Sequence, residues 1–345
     1  MNDFITEEKT GEKVRELIFN QPDCSISRKL VIPATSPDEL DDYSDNTLKY
    51  IFNPEIVNSF TDINGIFSKT NLKLEEKGLF IGYAETKEKR KERILKILPL
   101  PFNFVFYSFD FLFKRVFPKL PLTRDIYYFI TRGRNKVLSR AEILGRLHMS
   151  GFEIQNEGYT GKKFYFVARK VSQPKPDSGE ASAPLITLER VGKNGEIIRV
   201  YKIRTMHPYS EHLQDYVYKM NNLQTNGKMN GDFRITTIGR FMRRVWIDEI
   251  PMIINWFMGE LKLVGVRPLS YQYFCLYDKE LQIKRTRHKP GLVPPYYADL
   301  PGSLEEIMES ESRYLASYEK SPITTDIRYF FRASYNILFR RARSN

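Results

Sequence analysis

The sequence predicts an α/β protein of two domains: an α/β N-terminal domain joined to a mixed α+β C-terminal domain with amphipathic helices. Three observations carry the prediction. The chain has 345 residues, more than one domain usually holds, so two cores are expected. Apolar residues make up 41% and aromatics 14% of it, a globular composition. Helix-like and strand-like periods lie on both sides of one break, "VSQPKPDSGEASAP" at 171–184, where proline, glycine, serine and charge replace apolar periodicity as in a linker. The expected division is an extension at 1–45, a domain at 46–170, the linker at 171–184 and a second domain at 185–345.

The N-terminal "MNDFITEEKTGEKVRELIF" is acidic and lacks an apolar core, which argues against a secretory signal. "INGIFSKTNLKLEEKGLFIGYAET" predicts a helix, a turn at Gly78 and a buried strand. "ILPLPFNFVFYSFDFLF" (Ile97–Phe113) is the most apolar stretch, yet it falls short of the roughly 20 residues of a spanning helix. Pro99, Pro101 and Asp110 interrupt it, and Lys114 and Arg115 follow it. It fits a helix lying in a membrane interface or a buried aromatic core helix, and periodicity does not separate the two. In "SRAEILGRLHMSGFEI", Ser139 is the expected N-cap, Ala141, Ile143, Leu144 and Leu147 the apolar face, and Gly151 the stop. "FEIQNEGY" and "KKFYFVARKV" then read as an antiparallel pair.

The net charge of +12 favours a polyanionic partner, whether nucleic acid, an anionic membrane or phosphorylated ligands. No zinc-finger, helix-turn-helix or RNA-recognition pattern is visible, so nucleic acid is the weakest of these. Cys24 and Cys275 are the only cysteines, which gives neither a disulfide framework nor a zinc spacing. A reducing cytoplasm fits best. The order helix, turn, strand, helix and closing hairpin over 46–170 resembles the C-terminal half of a class I methyltransferase. No glycine-rich strand-to-helix turn precedes it to receive a nucleotide-like cofactor. The resemblance therefore implies a degenerate domain that serves as a scaffold or docking module.

From Leu185 the pattern changes. "LITLERVGKNGEIIRVYKIRTM" reads as two strands joined through Asn194-Gly195, a strong hairpin signal. Lys202 and Arg204 alternate with Tyr201 and Ile203, so both cations leave one face. They could bracket a phosphate or simply line a solvated strand. In "GRFMRRV", Arg240, Arg243 and Arg244 share one side of a short helix. In "WIDEIPMIINWFMG", Asp248-Glu249 precede Ile250, Ile253, Ile254, Phe257 and Met258, the stripe of a buried helix closed by Gly259. Asp248 then stands at or near the N-cap. The same placement suits an ionised carboxylate that attacks or activates a phosphoryl group, with Glu249 sharing a divalent cation.

"RVGKNGEIIRVYKIRTM", "TTIGRFMRRVWIDEIPMIINWFMGELKLVGVRP" and "RHKPGL" resemble, in order, successive blocks of the bacterial sugar transferase family, the polyprenyl-phosphate glycosyl-1-phosphate transferases. The resemblance implies transfer of a sugar-1-phosphate from a UDP-sugar to undecaprenyl phosphate with release of UMP, which starts a surface glycan at the cytoplasmic face of the bacterial inner membrane. It implies Asp248 as nucleophile and Glu249 as its helper with Mg2+, both able to ligate the metal. Lys202, Arg204, Arg243, Arg244 and Arg267 become the expected phosphate-binding residues, and downstream glycosyltransferases the expected partners.

The chain departs from the family in three places. Val266-Arg267-Pro268 stands for Pro-Arg-Pro, "LVPPYYADLPGS" follows "KPG", and the linker occupies the place of the membrane-inserted helix. The aromatic segment and "DIRYFFRASYNILFRRARSN" are the remaining candidates for attachment to an anionic membrane surface. In the latter, Ile327, Phe331, Tyr335 and Leu338 form an apolar stripe followed by Arg340, Arg341 and Arg343, although a packing helix with a basic tail has the same pattern. The rival to an enzyme is a non-catalytic scaffold that binds nucleotide sugar or partner glycosyltransferases.

Overall fold

The computed structural model describes residues 29–31, 40–177, 183–220 and 232–339. Most of the N-terminal extension, the centre of the linker and the basic tail at 340–345 lie outside the described residues. Packing divides the chain between residues 182 and 183, with residues 208–214 belonging to the first unit.

The first unit contains β1 (Lys29–Val31), β2 (Leu48–Ile56), α1 (Ile63–Lys73), β3 (Leu74–Ala84), α2 (Lys87–Ile97), α3 (Phe102–Phe111), α4 (Pro121–Thr131), α5 (Arg140–Met149), β4 (Phe152–Thr160) and β5 (Lys163–Lys170). Its sheet has the order β1-β2-β3-β5-β4. The first three strands are parallel, and β5 runs antiparallel between β3 and β4. Residues Phe80–Ala84 of β3 are all buried, as a strand covered on both faces requires. Phe67 of α1 meets Phe80 and Phe166 edge-on at 5.6 and 6.1 Å, an arrangement that aromatic quadrupoles favour.

Helix α5 starts as expected, with the Ser139 hydroxyl accepting from Glu142 N at 3.2 Å. It ends before Gly151, whose φ of +84° suits glycine. Gly145 lets residues 208–214 lie on α5, because a Cβ there would stand 2.2 Å from the Tyr209 carbonyl oxygen. Residues 171–177 are fastened to the same unit. Val171 and Ser172 donate backbone N–H groups to the Gly151 carbonyl, and Asp177 accepts from Asn64 and Tyr209.

Two expectations fail here. Gly78 forms no turn: β3 runs through it with a register shift against β2 and a left-handed Lys77 (φ 65°). It is a bulge, and a Cβ at Gly78 would lie 2.9 Å from the Glu75 carbonyl oxygen. The buried-core reading of the aromatic segment also fails, because Phe102, Phe104, Phe106 and Phe109 of α3 are exposed.

The second unit contains β6 (Leu185–Val191), β7 (Ile197–Ile203), α6 (Gln214–Met220), α7 (Thr237–Arg244), α8 (Met252–Phe257), β8 (Lys262–Val264), α9 (Tyr271–Phe274), α10 (Lys279–Thr286), β9 (Gly291–Val293), α11 (Tyr296–Asp299), α12 (Leu304–Lys320) and α13 (Pro322–Phe339), α6 beginning in the last residue of the first unit. Strands β6 and β7 pair in antiparallel register from Leu185↔Ile203 to Val191↔Ile197. Asn194 (φ 57°) and Gly195 (φ 79°) make the turn, the left-handed pair a tight hairpin needs. Strands β8 and β9 form a short parallel pair.

The main core gathers Val264, Tyr277, Leu281, Tyr297, Tyr314, Leu315 and Tyr329. Asn336 of α13 donates to the Tyr297 and Ala298 carbonyls at 2.9 Å each, which locks α13 onto α11. Thus α13 packs through Tyr329, Ala333 and Asn336, while Ile327, Phe331, Tyr335 and Leu338 remain on its exposed side.

The stripe expected to be buried on α8 is exposed: Ile250, Ile253, Ile254, Phe257 and Met258 all face outward, Phe257 at 77%. The helix is fastened instead through Met252 and Asn255. Met252 packs with Val200 and Leu261. The period identified a shared face correctly, but a pattern does not say what covers that face.

Candidate active site

The site begins at the end of β7. Beyond it, Thr205 provides both a carbonyl that accepts from Thr236 N (3.0 Å) and a hydroxyl that accepts from Arg243 Nε (2.9 Å). Thr236 caps α7, its hydroxyl accepting from Gly239 N at 2.8 Å. Gly239 permits the close approach, because a Cβ there would lie 2.0 Å from the Thr205 carbonyl oxygen. Helix α7 therefore lies directly against the backbone that follows the strand, and Arg243 points back toward it.

The chain reverses at Trp246, which is left-handed at φ 63° and ψ 16°. That conformation costs a non-glycine residue on the order of 1–2 kcal/mol. The indole is held against Tyr297, with ring centroids 4.2 Å apart. The reversal places Asp248 and Glu249 in a separate turn at Ile247–Glu249.

Asp248 therefore does not cap α8. Pro251 precedes that helix, with no side-chain cap. Asp248 is only 5% exposed, and its Oδ1 has no hydrogen-bond partner. Burial, and after it the charge of Glu249, push its carboxyl above the usual range, while Lys202 and Arg243 oppose them. The direction is opposite to that expected from a helix N-terminus, because the low-dielectric surroundings outweigh the cations.

Lys202 Nζ donates to Glu249 Oε1 at 2.6 Å. Their spacing is set by Asn255, which is fully buried on α8. Its Oδ1 accepts from Tyr201 N (3.0 Å), and its Nδ2 donates to the Arg199 carbonyl (2.8 Å) and to Glu260 Oε2 (2.6 Å). One amide thus staples α8 to β7.

Arg267 lies over the Tyr296 ring at 5.6 Å. Tyr296 raises the Arg267 pKa against burial, with Tyr297 and Glu249 adding to the effect. Burial in turn pushes the Tyr296 hydroxyl up to about 12. The Arg267 backbone is held from behind, its carbonyl accepting from Arg285 Nη2 at 2.6 Å while Arg285 pairs with the buried Glu311.

Of the residues expected from the sequence, Lys202 pairs with Glu249, while Arg243 couples electrostatically to Asp248 and Arg267 to Glu249. Arg244 is exposed at the end of α7. Arg204 donates from Nε to the Ala183 carbonyl (2.8 Å) at the start of β6. Sequence reasoning missed Arg190, whose pKa falls through burial and the like charge of Arg267. It also missed Asn255 and the Trp246, Tyr296 and Tyr297 cluster. Asn255 left a signal, a lone amide inside "IINWF". Tyr296 and Tyr297 left none, since they lie in the segment that departs from the family.

Asp248 thus combines a buried carboxylate oxygen without a hydrogen-bond partner with the nearby charges of Lys202 and Arg243. Residues 177–340 match the family model of bacterial sugar transferases, so the resemblance read from the sequence holds over this part of the chain. A stretch of 125 residues is 37% identical to the galactosyl transferase CpsE of Streptococcus agalactiae, covering 35% of this chain and 26% of that protein. The chain is 32% identical to the UDP-N-acetylgalactosamine-undecaprenyl-phosphate N-acetylgalactosaminephosphotransferase of Aeromonas hydrophila, over 33% of this chain and 25% of that one. Against the exopolysaccharide production protein ExoY of Sinorhizobium fredii it is 32% identical, over 30% of this chain and 47% of the relative. The chain thus spans about a quarter to a half of the length of these relatives. Among solved structures, the CurJ carbon methyltransferase aligns with 40% of this chain and 33% of its own at 13% identity and a TM-score of 0.24, too slight a likeness to assign any part of it.

Proposed function

We propose that the chain transfers a sugar-1-phosphate from a UDP-sugar to undecaprenyl phosphate through a phosphosugar covalently held on Asp248. The observation that carries this reading is the Asp248 carboxylate, buried, with Oδ1 unpartnered, beside Arg243, Lys202 and Glu249. In the first step an Asp248 oxygen attacks the phosphorus that bears the sugar. The bond from that phosphorus to the bridging oxygen breaks, and UMP leaves with the electron pair. In the second step an oxygen of undecaprenyl phosphate attacks the same phosphorus, forms the lipid diphosphate sugar and frees Asp248. Lys202, Arg243 and Arg267 hold the phosphate oxygens and spread the charge that builds on them.

The donor set also fits Mg2+. Asp248 Oδ1 and Glu249 are hard oxygen ligands, and Mg2+ is commonly held by one or two carboxylates together with substrate phosphates. Among the described residues no cluster of three or more His, Cys, Asp or Glu could hold an ion without the substrate. When bound, the ion would neutralise charge on the diphosphate.

The exposed apolar side chains of α7 and α8, including Ile238, Phe241 and Phe257, flank the site and suit a lipid-linked acceptor. Among the described residues no helix is long and apolar enough to cross a membrane. With a lipid-linked acceptor, this unit would act at the cytoplasmic face of the bacterial inner membrane as a peripheral or monotopic enzyme whose product feeds downstream glycosyltransferases. Incubating the chain with undecaprenyl phosphate and a panel of UDP-sugars should release UMP for at least one sugar. Asp248→Asn should release none; equal release by that variant would end the assignment.

A further inference from the structure

Along helices α3 and α4 and the segment between them, the buried side chains among the described residues are Asn103, Arg115 and Tyr127. The anchoring contacts are largely polar. Arg90 grips Asp110 of α3 at 2.7 and 2.8 Å, and Asn103 donates to the Leu95 carbonyl at 3.3 Å. Arg115, just past α3, donates to the Val137 carbonyl at 2.6 Å and pairs with the buried Glu142. Tyr127 of α4 is fully buried. Its ring packs on Phe113 at 5.6 Å and its hydroxyl donates to the Arg134 carbonyl.

Outward, by contrast, stand Phe102, Phe106, Phe109, Leu122, Phe129 and Ile130, with Leu122 at 91% and Phe129 at 89% exposure. Monomeric soluble proteins rarely expose a contiguous apolar patch of this kind. Helices α3 and α4 have 10 and 11 residues, far too few to span a bilayer. Their surroundings are basic. Residues 96–136 carry eight Lys and Arg against Asp110 and Asp125, and Arg90 takes up the charge of Asp110. Lys96, Arg124, Arg132 and Arg134 are exposed around the apolar face.

We propose that α3 and α4 form a lipid-docking element that seats its aromatic face in the interfacial layer of an anionic bilayer, with the surrounding cations on the headgroups. An apolar face rimmed by positive charge matches an anionic lipid surface on both counts. A second copy of the chain would instead bring two basic rims together. The element belongs to the first unit, so its role does not depend on Asp248 being a nucleophile.

The test uses the full chain with Cys24→Ser and Cys275→Ser. An environment-sensitive fluorophore is placed through Phe106→Cys, Phe129→Cys or, as a control elsewhere in the unit, Leu72→Cys. With phosphatidylglycerol vesicles, the first two labels should shift to the blue and be quenched by brominated acyl chains, whereas the third should do neither. In the unlabelled chain, Phe106→Asp with Phe129→Asp should lower vesicle partitioning by about tenfold or more, since each aromatic is worth roughly that factor when buried. Both positions are exposed, so the far-ultraviolet circular dichroism should not change. Labels at 106 and 129 that stay in water while the chain floats with vesicles would overturn the proposal. So would a blue shift without vesicles that grows with protein concentration, because the occupant would then be a second copy.

Discussion

Removing the Asn255 amide tests how the site is assembled. Asn255→Ala deletes three hydrogen bonds and leaves the Tyr201 N–H, the Arg199 carbonyl and the Glu260 carboxylate without their partner. A buried polar group left unpaired costs about 1–3 kcal/mol. Glu260 is only half-buried and water can replace part of its loss, so a total of about 3–5 kcal/mol is expected. For a unit of this size, each kcal/mol lowers the midpoint by roughly 2–4 °C. Calorimetry should therefore show the second unit melting roughly 6–20 °C earlier. The staple also sets Lys202 against Glu249, so UMP release by the folded variant in the cold should fall by about tenfold or more, as small misplacements of reacting groups do. A shift under about 1 kcal/mol with full turnover would refute the reasoning, and would leave Met252 with its apolar partners as the fastening of α8.

Three further outcomes follow from the same geometry. Burial alone would raise the Glu142 carboxyl, but Arg115, Lys119 and Arg146 hold it well below the usual range. Its contribution is thus present above the ordinary carboxylate pKa and lost as pH falls through the folded one. Urea unfolding of Glu142→Gln should show a loss of about 3–5 kcal/mol at neutral pH, a gap that narrows below about pH 4. Asp248 has the opposite sign: its raised pKa costs stability at neutral pH, so Asp248→Asn should be no less stable than the parent there, and a lower urea midpoint would contradict this. Arg267→Lys keeps the charge but loses the planar fork, so the KM for the UDP-sugar should rise about tenfold while the unfolding midpoint stays put.

Features encoded by neighbouring residues were legible in the sequence. Asn194-Gly195 announced the β6–β7 hairpin because only a left-handed pair closes so tight a turn. Ser139 and Gly151 bounded α5 for equally local reasons. The carboxylate pair and three of its cations, Lys202, Arg243 and Arg267, could also be named. What escaped depends on what covers a surface or on a conformation the letters do not mark. The α8 stripe had the right period and the wrong environment. Trp246 and Tyr209 are left-handed without being glycine, held so by packing rather than by their own preference. The association of residues 208–214 with the first unit uses the close approach at Gly145 and the contacts of Tyr209 with Asn64, Asp177 and Arg146, which no periodicity could announce. Asp248 was expected to cap a helix because it precedes an apolar run, but the reversal at Trp246 gave it a turn of its own and left one oxygen without a partner.

Whether that oxygen forms a bond to phosphorus is the most direct question. The chain should be mixed with a UDP-sugar that supports UMP release, in the absence of undecaprenyl phosphate, then quenched and measured as intact protein and as peptides. A covalent phosphosugar on Asp248 requires a burst of UMP no larger than the amount of enzyme, a mass gain equal to one sugar phosphate on the peptide that contains Asp248, and loss of that gain when undecaprenyl phosphate is added. Steady UMP release that requires the lipid from the first turnover, with no modified peptide at any time, would instead mean direct displacement and would rule out Asp248 as the nucleophile.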